Sequence, residues 1–166
     1  MTRFYSGDFW QGTQAMETAG ARYAGSPGFV NARICEKDRN ARIWQNGCWP
    51  GELSITSKDG LLVLPPKIAR QYAQKATEAR RNGEFLVLKG DAYDNLRDKS
   101  TTSVQKAIAD DLPFWIKRKD FCGEQPAGRL DESVLALRLC GGQKQTQEYS
   151  GCLSGFNVTS VPHYFA

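Results

Sequence analysis

The alternation of apolar and polar positions is clearest between residues 53 and 64. Apolar residues around Ile55 and over Leu61–Leu64 flank the dipeptide Asp59-Gly60. An Asp-Gly turn between two apolar runs is a strong hairpin signal, because these residues tolerate the positive φ angles of tight hairpin turns. The pattern therefore predicts two antiparallel strands joined by a short turn.

A helix is predicted directly after this hairpin. Pro66 fits its first turn, because the missing N–H of proline would have no intrahelical partner there. The apolar positions recur at helical spacing, at Ile68, Tyr72, Ala76 and Ala79. Asn82-Gly83 ends the helix, since glycine tolerates the left-handed conformation that follows many helices. The apolar run Phe85–Leu88 then predicts a third strand.

The N-terminal part predicts one helix and two further strands. Residues 4–24 carry an apolar stripe at helical spacing, and Ser6 or Asp8 is placed to cap this helix. The apolar segments Phe29–Cys35 and Ala41–Trp44 are short and separated by a charged turn, so we expect two strands there. Together with the hairpin they predict a four-stranded meander.

The C-terminal half predicts short elements in quick succession. They are a polar loop at 90–95, a helix at 104–112 capped by Thr102 or Ser103, strands at 114–116 and Ser133–Cys140, and a broken strand at 149–161. No internal repeat or linker divides the chain. We therefore expect one α+β domain spanning residues 1–166, mostly antiparallel, with about three helices.

The composition is that of an ordinary globular protein, with 40% hydrophobic and 24% charged residues in 166. No apolar run approaches the roughly 18 residues that a membrane span needs. The N-terminus also lacks the charged and then apolar pattern of a secretory signal. We expect a cytoplasmic protein with no membrane span.

The cysteines do not indicate a metal site or a disulfide framework. There is no C-x-x-C motif, and His163 is the one histidine, so a structural zinc site is not predicted. We expect buried, reduced thiols. An alternative is an extracytoplasmic protein in which Cys140 and Cys152 are paired. The five cysteines are Cys35, Cys48, Cys122, Cys140 and Cys152.

The net charge of +4 permits an acidic partner. A basic group follows the aromatic residues Phe114 and Trp115, and cations beside aromatic rings suit phosphate contact with base stacking. A second basic pair ends the predicted central helix. The residues expected to bind nucleic acid are Arg80, Arg81, Lys117, Arg118 and Lys119.

The order strand, Asp59-Gly60 turn, strand, helix and strand over residues 53–88 resembles the core of the ParB/sulfiredoxin superfamily. The segment departs from that family at the helix start, where Pro65-Pro66 replaces its glycine-and-arginine signature. The resemblance implies an activity directed at DNA or nucleotides, as in nuclease-like and plasmid fertility-inhibition (conjugation-inhibition) members. It would place Asp59, Lys67 and Arg70 in the catalytic site. The same hairpin also resembles AbrB-type DNA-binding antitoxins.

The sequence does not identify a cofactor; a divalent cation at Asp59 and ATP are the candidates. No phosphate-binding glycine motif is present. The alternative function is therefore a non-enzymatic regulator or inhibitor that binds another protein. The partner stays open between nucleic acid and protein, and the oligomeric state is not predicted.

Overall fold

The computed structural model describes residues 8–45, 51–120 and 124–162. The helices are α1 (Phe9–Thr18), α2 (Gly25–Cys35), α3 (Arg42–Gln45), α4 (Pro66–Ala69), α5 (Ala73–Arg81), α6 (Gly90–Asp98), α7 (Val104–Ala109), α8 (Val134–Cys140) and α9 (Gln143–Gly155). The strands are β1 (Leu53–Thr56), β2 (Gly60–Leu64), β3 (Phe114–Lys117), β4 (Glu124–Pro126) and β5 (Ser160–Pro162). Short 3-10 helices span Arg70–Tyr72, Arg118–Asp120 and Ala127–Glu132. The predicted α+β class is confirmed, but the described residues form more helices than the three expected.

The predicted hairpin forms the centre of a three-stranded antiparallel sheet. β2 pairs with β1 on one side and with β3 on the other, so that Leu62 lies between Ile55 and Trp115. All five residues of β2 are buried. A central strand covered on both faces needs apolar side chains at every position, which explains its uninterrupted apolar run.

Side chains on the two faces of this sheet enter two separate apolar clusters. Leu62 and Leu64 point to the face that is covered by α1, α5 and α6. Leu61 and Val63 point to the opposite face, where they pack against α7 and α8. The sheet is therefore the middle layer of a three-layer arrangement, because successive side chains of a strand alternate between its faces.

The predicted helix after the hairpin is confirmed, with one irregular turn. α4 begins at Pro66, the 3-10 turn Arg70–Tyr72 follows, and α5 continues to Arg81. α5 packs against α1, where the buried hydroxyl of Thr77 accepts a hydrogen bond of 3.1 Å from the Trp10 N–H. This bond satisfies one of the N–H groups that the first turn of α1 leaves without an intrahelical acceptor.

A further layer of the structure consists of helices that the sequence did not predict. α2, α8 and α9 pack against one another around an apolar cluster. β4 and β5 form a small antiparallel sheet at the edge of this layer. The buried residues of the cluster are Val30, Ala127, Leu130, Ala136, Cys140, Tyr149 and Leu153.

Several predicted strands and one predicted loop are therefore wrong. The segments predicted as strands lie in helices: Phe29–Cys35 in α2, Ala41–Trp44 mostly in α3, Ser133–Cys140 at the cap and in the body of α8, and most of 149–161 in α9. The segment predicted as a loop at 90–95 is the start of α6. In α8, Ser133 caps the helix by accepting from the Ala136 N–H, and Gly141 ends it with a φ of 97°. Short apolar runs fit a buried helix as well as a strand, and packing decided between them.

The caps of α1 and α7 agree with the predictions. Asp8 caps α1 in a reciprocal capping box with Gln11, and Ser103 caps α7 by accepting from the Lys106 N–H. The remaining predictions fall on residues outside the described ranges: Ser6, Cys48, Cys122 and His163. Within those ranges, no helix combines the length and the apolar character that a membrane crossing requires.

Candidate functional site

Lys67 and Arg70, which the sequence singled out, both line one cleft. α4 and the following 3-10 turn place them one helical turn apart on the same side, with both side chains exposed. The cleft has a volume of about 650 Å³, which is within the range of small-molecule sites. It lies between the α1–α2 connection, the start of α4, the end of α7 and the middle of α8.

Asp59 does not join Lys67 and Arg70. It lies in the hairpin turn, at the other end of β2 from the start of α4. The four residue steps of β2 separate the two ends by roughly 13 Å. The Asp59 carbonyl instead accepts a hydrogen bond of 2.9 Å from the Arg118 N–H. The three residues predicted to share a catalytic site are therefore split between two ends of the sheet.

The basic residues predicted to bind nucleic acid lie on two different elements. Arg80 and Arg81 end α5, where Arg81 forms an ion pair with Asp8 at the start of α1. Lys117 ends β3 opposite Gly60, and Arg118 and Lys119 follow in an exposed 3-10 turn beside the hairpin. Arg81 thus has a structural role that its position in the sequence did not indicate.

The floor of the cleft holds a buried ion pair that the sequence did not predict. Arg138 donates from Nη1 to Oε1 of Glu52 at 3.2 Å, and the two side chains are only 3% and 6% exposed. Ser26, in the first turn of α2, donates to the other oxygen of the Glu52 carboxylate. The one available sequence signal was an arginine inside the apolar run of α8.

The guanidinium of Arg138 is only partly satisfied by the protein. Its Nε is buried and has no hydrogen-bond acceptor among the described residues. Nη1 is occupied by Glu52, and no acceptor for Nη2 is found in the described ranges either. The edge formed by Nε and Nη2, which binds carboxylates in a bidentate manner, thus has no protein partner in this part of the chain.

Tyr23 lines the cleft, and its hydroxyl is hydrogen-bonded to Thr13. Because the Thr13 hydroxyl already donates to the Phe9 carbonyl at 2.7 Å, the Tyr23 hydroxyl donates to Thr13, at 2.8 Å. Burial raises the pKa of Tyr23, so its side chain is neutral at physiological pH. Gly51 has a φ of 89° and its Cα faces the Tyr23 ring so closely that a Cβ would lie 2.2 Å from Cγ.

A second exposed feature is the connecting segment Glu84–Lys89 between α5 and α6. The strand predicted at Phe85–Leu88 is not formed: in the described chain these four residues belong to no helix or strand and make no backbone hydrogen bond. Phe85 and Val87 are each 81% exposed, whereas Leu88 packs against the cluster beneath the sheet. Exposed and half-buried side chains thus alternate along Phe85–Leu88, as they do in a strand, but no partner strand is present in the described chain.

Metal ligation and thiol pairing find no support in the described part of the chain. No group of three or more histidine, cysteine or acidic side chains is close enough there to hold a metal ion. Cys140 and Cys152, which the alternative interpretation paired, lie in α8 and α9 as free thiols. The candidate site therefore consists of the cleft and the connecting segment Glu84–Lys89.

No protein-family model matches the chain, and no curated protein is similar to it in sequence. Among solved structures, it is similar to a protein that illustrates how the C-type lectin fold accommodates massive sequence variation in Nanoarchaeota. The TM-score is 0.57 at 15% identity, and the match covers 98% of this chain and 78% of the other. The likeness therefore concerns the fold.

This whole-chain similarity corrects the family and the function that the sequence suggested. The expected relationship to the ParB/sulfiredoxin superfamily is wrong, and so are the nuclease, DNA-binding, nucleotide-directed and plasmid-related functions that it implied. The hairpin–helix–strand order of residues 53–88 is a local arrangement that unrelated folds can share. The separation of Asp59 from Lys67 and Arg70 agrees with this correction.

Proposed function

We propose that this protein is a non-catalytic recognition protein that binds an extended segment of a partner protein along Glu84–Lys89. The observation that carries the proposal is the backbone of Phe85–Leu88, which makes no hydrogen bond in the described chain, together with the 81% exposure of Phe85 and Val87. The partner segment would pair with Phe85–Leu88 as a neighbouring strand. Addition of a strand to a free edge is a recurrent mode of peptide recognition.

The backbone provides the affinity in this mode. Four consecutive residues offer N–H and C=O groups that lack a partner in the described chain. An exposed row of such groups is a template for pairing, and folded proteins usually cover it. Binding of a partner strand would satisfy the backbone groups that face it and shield the apolar side chains from water.

The side chains provide the specificity. Phe85 and Val87 project to the same side, two residues apart, because strand side chains alternate. Cross-strand contacts between aromatic and β-branched side chains stabilise a strand pair. We therefore expect a partner segment with apolar residues at alternate positions. Arg80 and Lys89 near the two ends of the segment favour acidic residues at the ends of the partner.

The similarity in fold is consistent with recognition, since C-type lectin-like folds bind carbohydrates or proteins. Fold similarity alone does not establish function. A protein partner is favoured here over a carbohydrate because the exposed surface is apolar and offers backbone pairing. Sugars are held mainly by polar side chains, which Phe85 and Val87 do not provide.

The test is selection of peptides from a displayed random library on the intact protein, followed by affinity measurements with the selected sequences. We expect peptides that are apolar at alternate positions and that protect the amides of residues 85–88 from hydrogen exchange. Replacement of Phe85 and Val87 by aspartate should weaken their binding by about tenfold or more, as for loss of an interface anchor. The matched control is Val134→Asp, which changes another exposed apolar residue. Peptides that bind the Phe85→Asp/Val87→Asp variant as tightly as the wild type would contradict the proposal.

A further inference from the structure

We propose that the cleft beside Lys67 and Arg70 is a second binding site, specific for a small molecule that carries a carboxylate. Arg138 at the floor would bind the carboxylate, and the two rim cations would attract it and stabilise it. This site is independent of the connecting segment Glu84–Lys89, because the two share no residue. The inference therefore does not rest on partner binding.

The incomplete pairing of Arg138 is the first argument. The side chain is almost fully buried, and of its five N–H donors one is used in the hydrogen bond to Glu52. A buried donor without an acceptor destabilises a protein by the cost of its desolvation. A carboxylate on the Nε–Nη2 edge would remove that cost. Since Nε is enclosed, the cleft floor must shift slightly to admit the ligand oxygen.

The distribution of charge around the cleft is the second argument. Arg22, Lys67 and Arg70 are exposed cations in its lining. Two exposed carboxylates, Glu17 and Asp111, also line it. The cations favour an anion, while the two carboxylates disfavour a ligand of high negative charge by like-charge repulsion. A ligand with one or two carboxylates and further polar groups satisfies both conditions.

The size of the cleft is the third argument. The volume of about 650 Å³ accommodates a small molecule rather than a folded domain. The planar fork of arginine matches a planar carboxylate in two parallel hydrogen bonds, which distinguishes this ligand from chloride.

The experiment is thermal unfolding and isothermal titration calorimetry of the full chain with succinate, L-glutamate and L-malate at constant ionic strength. Chloride, inorganic phosphate and glucose serve as comparison ligands. We expect at least one carboxylate to raise Tm in a saturable manner. Phosphate, chloride and glucose should have no comparable effect. The absence of stabilisation by all three carboxylates would overturn the proposal, and so would phosphate binding of equal affinity.

Variants locate the site. Lys67→Ala/Arg70→Ala changes two exposed residues, so the protein should fold normally but bind the carboxylate about tenfold more weakly. Arg138→Lys keeps the buried charge beside Glu52 and removes the bidentate edge, so binding should fall by about tenfold or more. The control Arg118→Ala removes a cation at the other end of β2 and should leave the affinity unchanged. Equal weakening by Arg118→Ala and by the rim double variant would overturn the proposal, because it would indicate a general charge effect.

Discussion

Glu52 and Arg138 are 86 residues apart in the sequence and form an ion pair that is almost completely shielded from water. The pair joins the residue before β1 to the middle of α8. It thus connects the central sheet to the helical layer that the sequence did not predict. Ser26 adds α2 to the same connection through its hydrogen bond to Glu52.

The first prediction concerns this pair. Arg138→Met should destabilise the protein by about 3–5 kcal/mol, because it removes the positive charge that Arg138 places beside the buried carboxylate of Glu52. The double variant Glu52→Leu/Arg138→Met should recover most of that loss, since apolar side chains of similar volume carry no desolvation penalty. Urea unfolding of the wild type, both single variants and the double variant gives the coupling free energy. A double variant whose loss equals the sum of the single losses would show that the two residues act independently. Arg129→Ala, at an exposed ion pair with Glu132, is the control and should leave the stability nearly unchanged.

The second prediction concerns the pH dependence of the Asp8 cap. The hydrogen bond from the Gln11 N–H, with a further contribution from Arg81, holds the pKa of Asp8 below its ordinary value of 3.8. The folded protein therefore binds the Asp8 proton less tightly than the unfolded chain does. The stabilisation by the ionised cap is present above the ordinary pKa of 3.8 and is lost as the pH falls through the lower pKa of the folded state. Asp8→Ala should lower Tm at neutral pH, and the difference should disappear in acid. Asp8→Ser keeps a capping oxygen without a titratable group, so its difference from Asp8→Ala should not depend on pH in this way. A pH-independent difference between wild type and Asp8→Ala would contradict the assignment.

The third prediction concerns the close approach of β2 and β3. A Cβ on Gly60 would lie 2.2 Å from the Ile116 carbonyl oxygen and 2.7 Å from the Trp115 ring. Gly60→Ala should therefore destabilise the protein by about 1–3 kcal/mol, as overpacking does in well-packed cores. Gly151→Ala, at an open position in α9, should instead stabilise it by about 0.5–1 kcal/mol because alanine favours the helix. Thermal unfolding of both variants shows whether each substitution lowers or raises the stability. A Gly60→Ala variant as stable as the wild type would mean that β2 and β3 can move apart at no cost in free energy.

The fourth prediction concerns the reactivity of the thiols. Burial raises the pKa of Cys140 from 9.0 to about 11, partly offset by a hydrogen bond with Thr146. Cys35 is exposed. Iodoacetamide should therefore modify Cys35 rapidly near neutral pH and leave Cys140 unmodified until about pH 11 or until the protein unfolds. Because the unfolded thiol ionises first, stability should fall as the pH rises from about 9 to about 11, and Cys140→Ala should lack this contribution. Peptide mapping by mass spectrometry resolves each cysteine separately, and equal labelling rates for the two thiols in the folded protein would exclude a buried Cys140.

The part of the fold that could be predicted is the part with local signals. The Asp59-Gly60 turn, Pro66 at the helix start and the cap at Ser103 each act over a few residues, so the sequence indicates them without knowledge of the rest of the chain. The same holds for the apolar run of β2. These signals placed Lys67 and Arg70 in the first turns of one helix, and both residues line the cleft.

Packing between distant segments decided the rest. Val134–Cys140 is apolar enough for a strand and became a helix because α2 and α9 cover it. The burial of Arg138 depends on Glu52, and the exposure of Phe85–Leu88 depends on the absence of a neighbouring strand in the described sheet. Turns and caps are short-range interactions that the order of residues determines, whereas burial and strand pairing bring together residues far apart in the chain. The sequence therefore determined where the central elements begin and end, and the tertiary structure decided which charges and which edges are available for binding.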